Sequence, residues 1–168
     1  IAKEMPAVDL YGHCELDCPR VIIDVSGAME MVMNHLFDQG HRHIAFAAFG
    51  RQLLGELGRW RGVQLAYRKK GLPLPVDEDF FPPFSNFGHR AHTAGMESAQ
   101  AILQRRKRQG DKEKYTAIVA INDSVAIGVT RCLVDHGLKV PQDISVIGFD
   151  NMEESSVSIP RLTTIDQP

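Results

Sequence analysis

Three polar residues of this sequence have the side-chain chemistry and the local setting to hold a small ligand: Arg59, Asn122 and Asp150. Arg59 opens a helical run three residues before Gly62, and its planar guanidinium suits a carboxylate or a ring of hydroxyls; the plainer alternative is a solvated surface arginine. Asp150 follows the strand-like Gly148-Phe149, where a carboxylate accepts two hydrogen bonds from vicinal hydroxyls, or simply shapes a turn. Asn122 combines a donor and an acceptor, and otherwise just precedes a helix cap at Asp123. All of this is binding chemistry. For turnover the sequence offers no G-x-x-x-x-G-K-[ST], no G-x-G-x-x-G among Gly50, Gly55, Gly58 and Gly62, no G-x-S-x-G and no H-E-x-x-H, so an enzyme is not expected. The Gly-rich stretch reads as a mobile loop. His13, Cys14 and Cys18, or His89 and His92, lack four ligands at zinc spacing, so neither a metal nor a cofactor is expected.

Positioning these residues requires strands that end where they stand. Apolar runs alternate with helical periodicity, the pattern of an α/β fold with a doubly wound parallel sheet. Ala7 to Leu10 and Val21 to Ile23 read as short strands. Ser26 stands at an N-cap position, Ala28, Met29, Val32, Met33, Leu36 and Phe37 recur at helical spacing, and Gly40 stops the run, predicting a helix over about 27–39. His43 to Ala48 is a strand, followed by a loop, a helix over about 57–70 and a stop at Gly71. Four prolines keep 72–84 out of a helix, with room for a short strand near 79–81; a helix over about 95–108 follows. Thr116 to Ile121 is a strand, Ser124 to His136 a helix closed by Gly137, Ile144 to Phe149 a strand, Asp150 to Ser158 a polar stretch, and Leu162 to Ile165 a last strand. Ligands of such sheets sit beyond the carboxyl ends of the strands, which selects 48–58, 81–93, 122–124 and 150–154.

Nineteen Lys and Arg against 21 Asp and Glu give a net charge of -2, the wrong sign for a domain that holds nucleic acid by neutralising phosphates. No window approaches the roughly 18 consecutive apolar residues of a membrane span, and the first residues carry no signal-peptide pattern. Three cysteines without a C-x-x-C pair point to a reducing, cytoplasmic setting. The start at Ile1 and the end at Pro168, directly after a strand-like run, read as a piece of a longer polypeptide.

Several blocks carry a resemblance. Residues 116–128 (TAIVAINDSVAIG), 137–150 (GLKVPQDISVIGFD) and 160–165 (PRLTTI), with 34–46 (NHLFDQGHRHIAF) and 59–63 (RWRGV) upstream, are similar to the LacI/GalR family of bacterial transcription regulators. The resemblance implies a periplasmic-binding-protein-like (type I) fold of two lobes with an effector between them. Residues 1–22 would be a segment of the amino-terminal subdomain, 23–156 the carboxyl-terminal, effector-binding subdomain, and 157–168 the crossover back. It implies that Arg59 grips the effector, that Asn122 and Asp150 bind its polar edge, and that the Phe81 to Phe87 loop, with Phe81 and Phe84, offers an aromatic wall. Tyr11 lies where many sugar-binding members have an aspartate, and Val25 replaces a frequent asparagine. The implied partners are a sugar-like small molecule, a second copy in a homodimer, and operator DNA held by a helix-turn-helix absent from this chain. The alternatives are the sugar-binding component of a transporter or chemoreceptor, and the sensor part of an AraC-type activator or sensor kinase.

Overall fold

The computed structural model describes residues 6–10, 17–56, 58–82, 91–108 and 114–167. Two short strands, β1 (Asp9–Leu10) and β2 (Arg20–Val21), pair in parallel as a sheet of their own, with the Arg20 Nε lying 3.3 Å from the Asp9 carboxylate. The remaining chain alternates α1 (Val25–Asp38), β3 (Ile44–Ala47), α2 (Arg51–Glu56), α3 (Arg59–Lys69), β4 (Phe80–Phe81), α4 (Ala91–Arg108), β5 (Ala117–Ala120), α5 (Asp123–Asp135), β6 (Ser145–Ile147) and α6 (Glu153–Val157). Strands β3 to β6 form one parallel sheet in the order β4-β3-β5-β6, as the unbroken apolar runs HIAFAA and TAIVAI require of strands covered on both faces.

The order decides where the helices go. From β3 the chain steps outward to β4, then returns past β3 to β5 and β6. Right-handed crossovers therefore place α3 on one face and α4 and α5 on the other. The helices pair accordingly, α1 against α3 and α4 against α5. Glycine makes both pairings close. A Cβ on Gly62 of α3 would lie 2.1 Å from the Ser26 carbonyl oxygen, and one on Gly128 of α5 would lie 2.1 Å from that of His92. Between the layers, Met29, Met33, Leu36, Phe46, Phe49, Leu54, Ile102, Ile118, Leu133 and Ile144 are fully buried.

Several local readings are corrected. The α1 cap is Asp24, whose carboxylate accepts from the Gly27 N–H at 2.8 Å, so the helix starts two residues before the position Ser26 suggested. The stretch after β3 is not a plain loop but carries α2, and Gly58, at φ 70°, turns the chain into α3. Gly62 is thus a helix-packing residue rather than part of a mobile loop. Helix α4 begins at Ala91, a turn earlier than Gly95. Asn122, not Asp123, caps α5, its side chain accepting from the Val125 N–H at 3.0 Å. The polar stretch after Asp150 folds into α6, and instead of a strand over 162–165 the chain makes isolated bridges, Ile147 with Thr163 and, one residue past that stretch, Asp150 with Asp166.

Candidate functional site

The chain reverses its direction of travel across the sheet between β3 and β5, and the carboxyl ends of these two central strands open the crevice where such sheets bind ligands. Arg59, first residue of α3, sits at this point. It is 8% exposed, its Nη1 donates to the Ile121 carbonyl oxygen just past β5, and its guanidinium carbon lies 3.9 Å from the centroid of the Phe149 ring. Its Nε is buried without a hydrogen-bond partner among the described residues. Burial opposes the charge of the guanidinium and pushes its pKa down, while the Asp150 carboxylate acts in the opposite direction. An arginine stays cationic through such a shift.

Asp150 stands beyond β6 in a backbone conformation that favours glycine, with φ 111°, followed by Asn151 at φ 53°. Residues held this way cost free energy and persist where the surroundings over-determine them. Here the surroundings are the return segment: the Asp150 N–H donates to the Ile165 carbonyl at 2.9 Å, the Asn151 amide donates to the Asp166 carboxylate at 3.1 Å, and the Gln167 amide donates to Asp150 Oδ1. Burial raises the Asp150 pKa, and Arg59 and Gln167 pull it back down. Arg59 and Asp150 thus feel each other's charge at the crevice without coming within ion-pair distance.

Asn122 lies at the same end of β5, but its Oδ1 is taken by the α5 cap, which leaves the amide NH2 as the group it can offer. Phe81 is on β4, three strands across from β6, so about 14 Å of sheet separates the two strands. Its ring packs edge-on against Tyr115 at 5.8 Å. Tyr11 and Phe84 lie outside the described residues, as do His13, Cys14 and His89. Among the described residues no group of three or more His, Cys, Asp or Glu is placed to hold a metal ion, and no helix is long and apolar enough to cross a membrane.

Asp123 is the residue that sequence reasoning missed. It is fully buried, and its carboxylate accepts from the Met152 N–H at 2.8 Å, the Ser155 hydroxyl at 2.6 Å and the Thr164 hydroxyl at 2.5 Å. One carboxylate therefore ties the start of α5 to α6 and to the return segment. Its donors stand 29 to 41 residues away in the chain, so no local pattern marks it.

Residues 33–168 match the family model described as a periplasmic binding protein-like domain. The chain is 32% identical over 151 residues to the catabolite control protein A of Priestia megaterium, covering 89% of this chain and 42% of that protein. It is 36% identical over 137 residues to the HTH-type transcriptional repressor PurR of Glaesserella parasuis, covering 82% and 37%. The chain thus spans about two fifths of the length of the curated relatives it matches. A sugar-binding transcriptional regulator of the LacI family from Escherichia coli, solved with phosphate, superposes with a TM-score of 0.77 at 25% identity, covering 97% of this chain and 55% of that one.

Proposed function

The chain belongs to the family of periplasmic-binding-protein-like domains, in the form carried by LacI-type transcription regulators, and from that premise we propose that it senses a small polar effector whose binding changes the DNA occupancy of the whole regulator. One observation carries the proposal. The Arg59 guanidinium is buried at the point where the sheet reverses direction, beside Asp150, with its Nε N–H unanswered. A buried unsatisfied donor costs about 1–3 kcal/mol, so the guanidinium is held here at a cost, and its remaining exposed edge is what an acceptor on a ligand would meet. Hydroxyls suit the pair because each can accept from arginine and donate to aspartate, which favours a sugar or sugar derivative. The sugar-binding name of the E. coli neighbour is consistent with that class.

In this proposal residues 1–22 and 157–168 belong to the amino-terminal lobe and its crossover, and 23–156 to the effector-binding lobe. Contacts from Arg59 and Asp150, improved when the second lobe closes, bias an open-closed equilibrium, and only such differential contacts can do so. The regulator acts in the cytoplasm as a homodimer. Its subunits meet on apolar faces of this lobe; the groove between α5 and 158–162, where Val134 and Ile159 are exposed, offers one. Operator DNA is held by a helix-turn-helix outside this chain, in keeping with the net charge of -2.

The test is a thermal-shift screen of sugars, sugar phosphates, polyols, nucleobases and small acids against the full-length protein. A ligand at a hundred times its Kd adds about 2.7 kcal/mol of apparent stability. The expected result is a shift from one polyol-like class that disappears in Arg59→Ala. A bound ligand whose affinity is unchanged in both Arg59→Ala and Asp150→Ala overturns the site.

A further inference from the structure

The pole of the lobe opposite the crevice carries a second cavity. It lies where β3 and β5 begin, under the chain that leads into β4, and has a volume of about 480 Å³. Its floor is two phenols. Tyr67 and Tyr115 are 4% and 2% exposed, and Leu72, Leu74 and Pro75 supply an apolar wall.

The polar groups in this cavity are unequally satisfied. The Tyr115 hydroxyl donates to Asp79 Oδ1 at 2.9 Å, with the Glu78 carbonyl oxygen at 3.3 Å, and Arg105 bonds the same hydroxyl from α4. Asp79 Oδ2 accepts from the Val76 N–H at 2.9 Å. Both donors to Asp79 are neutral, and among the described residues no cation lies within ion-pair distance of this carboxylate. Arg42 also lines the cavity; its Nη1 donates to the Phe37 and His41 carbonyls at 2.9 and 2.7 Å, and its guanidinium lies over the Phe37 ring. The Tyr67 ring is sealed edge-on against Phe37 at 4.9 Å, while its hydroxyl bonds no described residue and stays within reach of solvent. Tyr67 is 4% exposed and lines the cavity together with Asp79, so its hydroxyl offers the cavity an acceptor that a ligand can take over from water.

We infer that this cavity is a second small-molecule site, built for an organic cation with a short apolar stem. The ammonium donates to Asp79 and to the Tyr67 oxygen, where both retain lone pairs, and rests against the two aromatic rings. The stem lies along Leu72, Leu74 and Pro75. The volume lies within the range of ordinary ligand pockets. This site uses no residue of the crevice and stands independently of the effector proposal.

Calorimetric titration of the intact protein with n-pentylamine, against n-pentanol of the same length, tests the inference. Saturable binding of the amine and none of the alcohol is expected. Asp79→Asn, which removes the charge, should weaken the amine about tenfold or more, and Tyr67→Phe, which removes only the hydroxyl, about fivefold. Arg59→Ala should leave it unchanged. Should Asp79→Asn fail to fold, Tyr67→Phe decides. Equal binding of amine and alcohol, no saturable binding of the amine, wild-type affinity in Tyr67→Phe, or loss of binding in Arg59→Ala would each overturn the site.

Discussion

The guanidinium of Arg59 lies 3.9 Å from the centroid of the Phe149 ring, 90 residues away in the chain. That contact joins the first turn of α3 to the end of β6 across the crevice mouth. The ring shields one face of the cation from water while Ile121 anchors one of its nitrogens, so the remaining N–H groups are held in a fixed direction before any ligand arrives. Preorganisation of this kind lowers the ordering cost of binding.

Arg59→Met keeps the stem over Phe149 and removes the charge. The unliganded protein should lose about 1–3 kcal/mol, because methionine leaves the Ile121 carbonyl oxygen without its donor and Asp150 without the opposing charge. Effector affinity should fall at least about tenfold, the scale of one charge-assisted hydrogen bond. Denaturant melts with and without effector separate the two effects.

Asp123 should matter to folding more than its place in a helix start suggests. Asp123→Ala strands a buried backbone N–H and two hydroxyls and should destabilise the protein by about 3 kcal/mol, with a lower denaturant midpoint. Hydrogen exchange should show 150–167 opening first, because that segment loses its tie to α5. An unchanged midpoint would remove Asp123 from this role.

The close helix pairs give a steric prediction. Gly128→Ala sets a methyl group against the His92 carbonyl oxygen, and Gly62→Ala sets one against that of Ser26. Each oxygen belongs to backbone and cannot rotate away. Each variant should lose about 3 kcal/mol, the upper range for overpacking, whereas Gly55→Ala, which meets nothing within 4 Å, should not.

His41 supplies a pH prediction. Its Nδ1 is 2.9 Å from the Thr116 hydroxyl, and burial first, then His35 and Arg42, lower its pKa from the ordinary 6.5. The folded state therefore binds a proton less readily than the unfolded chain. The stabilisation is whole above the ordinary value and declines as pH falls below it towards the lowered folded value. The melting temperature should drop more steeply between about pH 7 and pH 5 in the wild type than in His41→Gln. Parallel curves would show that another group sets the slope.

How much of this was legible in the chain can be read from particular residues. HIAFAA and TAIVAI are apolar without alternation, and only a strand covered on both faces needs that, so the parallel sheet and its layers followed from local pattern. Gly40, Gly71 and Gly137 marked helix ends because the left-handed turn each adopts is a local requirement. The alternation also pointed to the loops beyond the strands, and so to Asn122 and Asp150, while Arg59 was marked by its place at the start of a helix just past such a loop. What the sequence could not express is which distant partner each polar group meets. Asp24 outcompeted Ser26 as the α1 cap, and Asn122 took the cap assigned to Asp123. Asp123 was then free to become the buried knot of three segments, and the Phe81 ring turned towards Tyr115. Periodicity reports which face of an element is buried, and it acts within a few residues. Burial, desolvation and the packing of Arg59 on Phe149 depend on contacts that exist only after the sheet has brought the loops together.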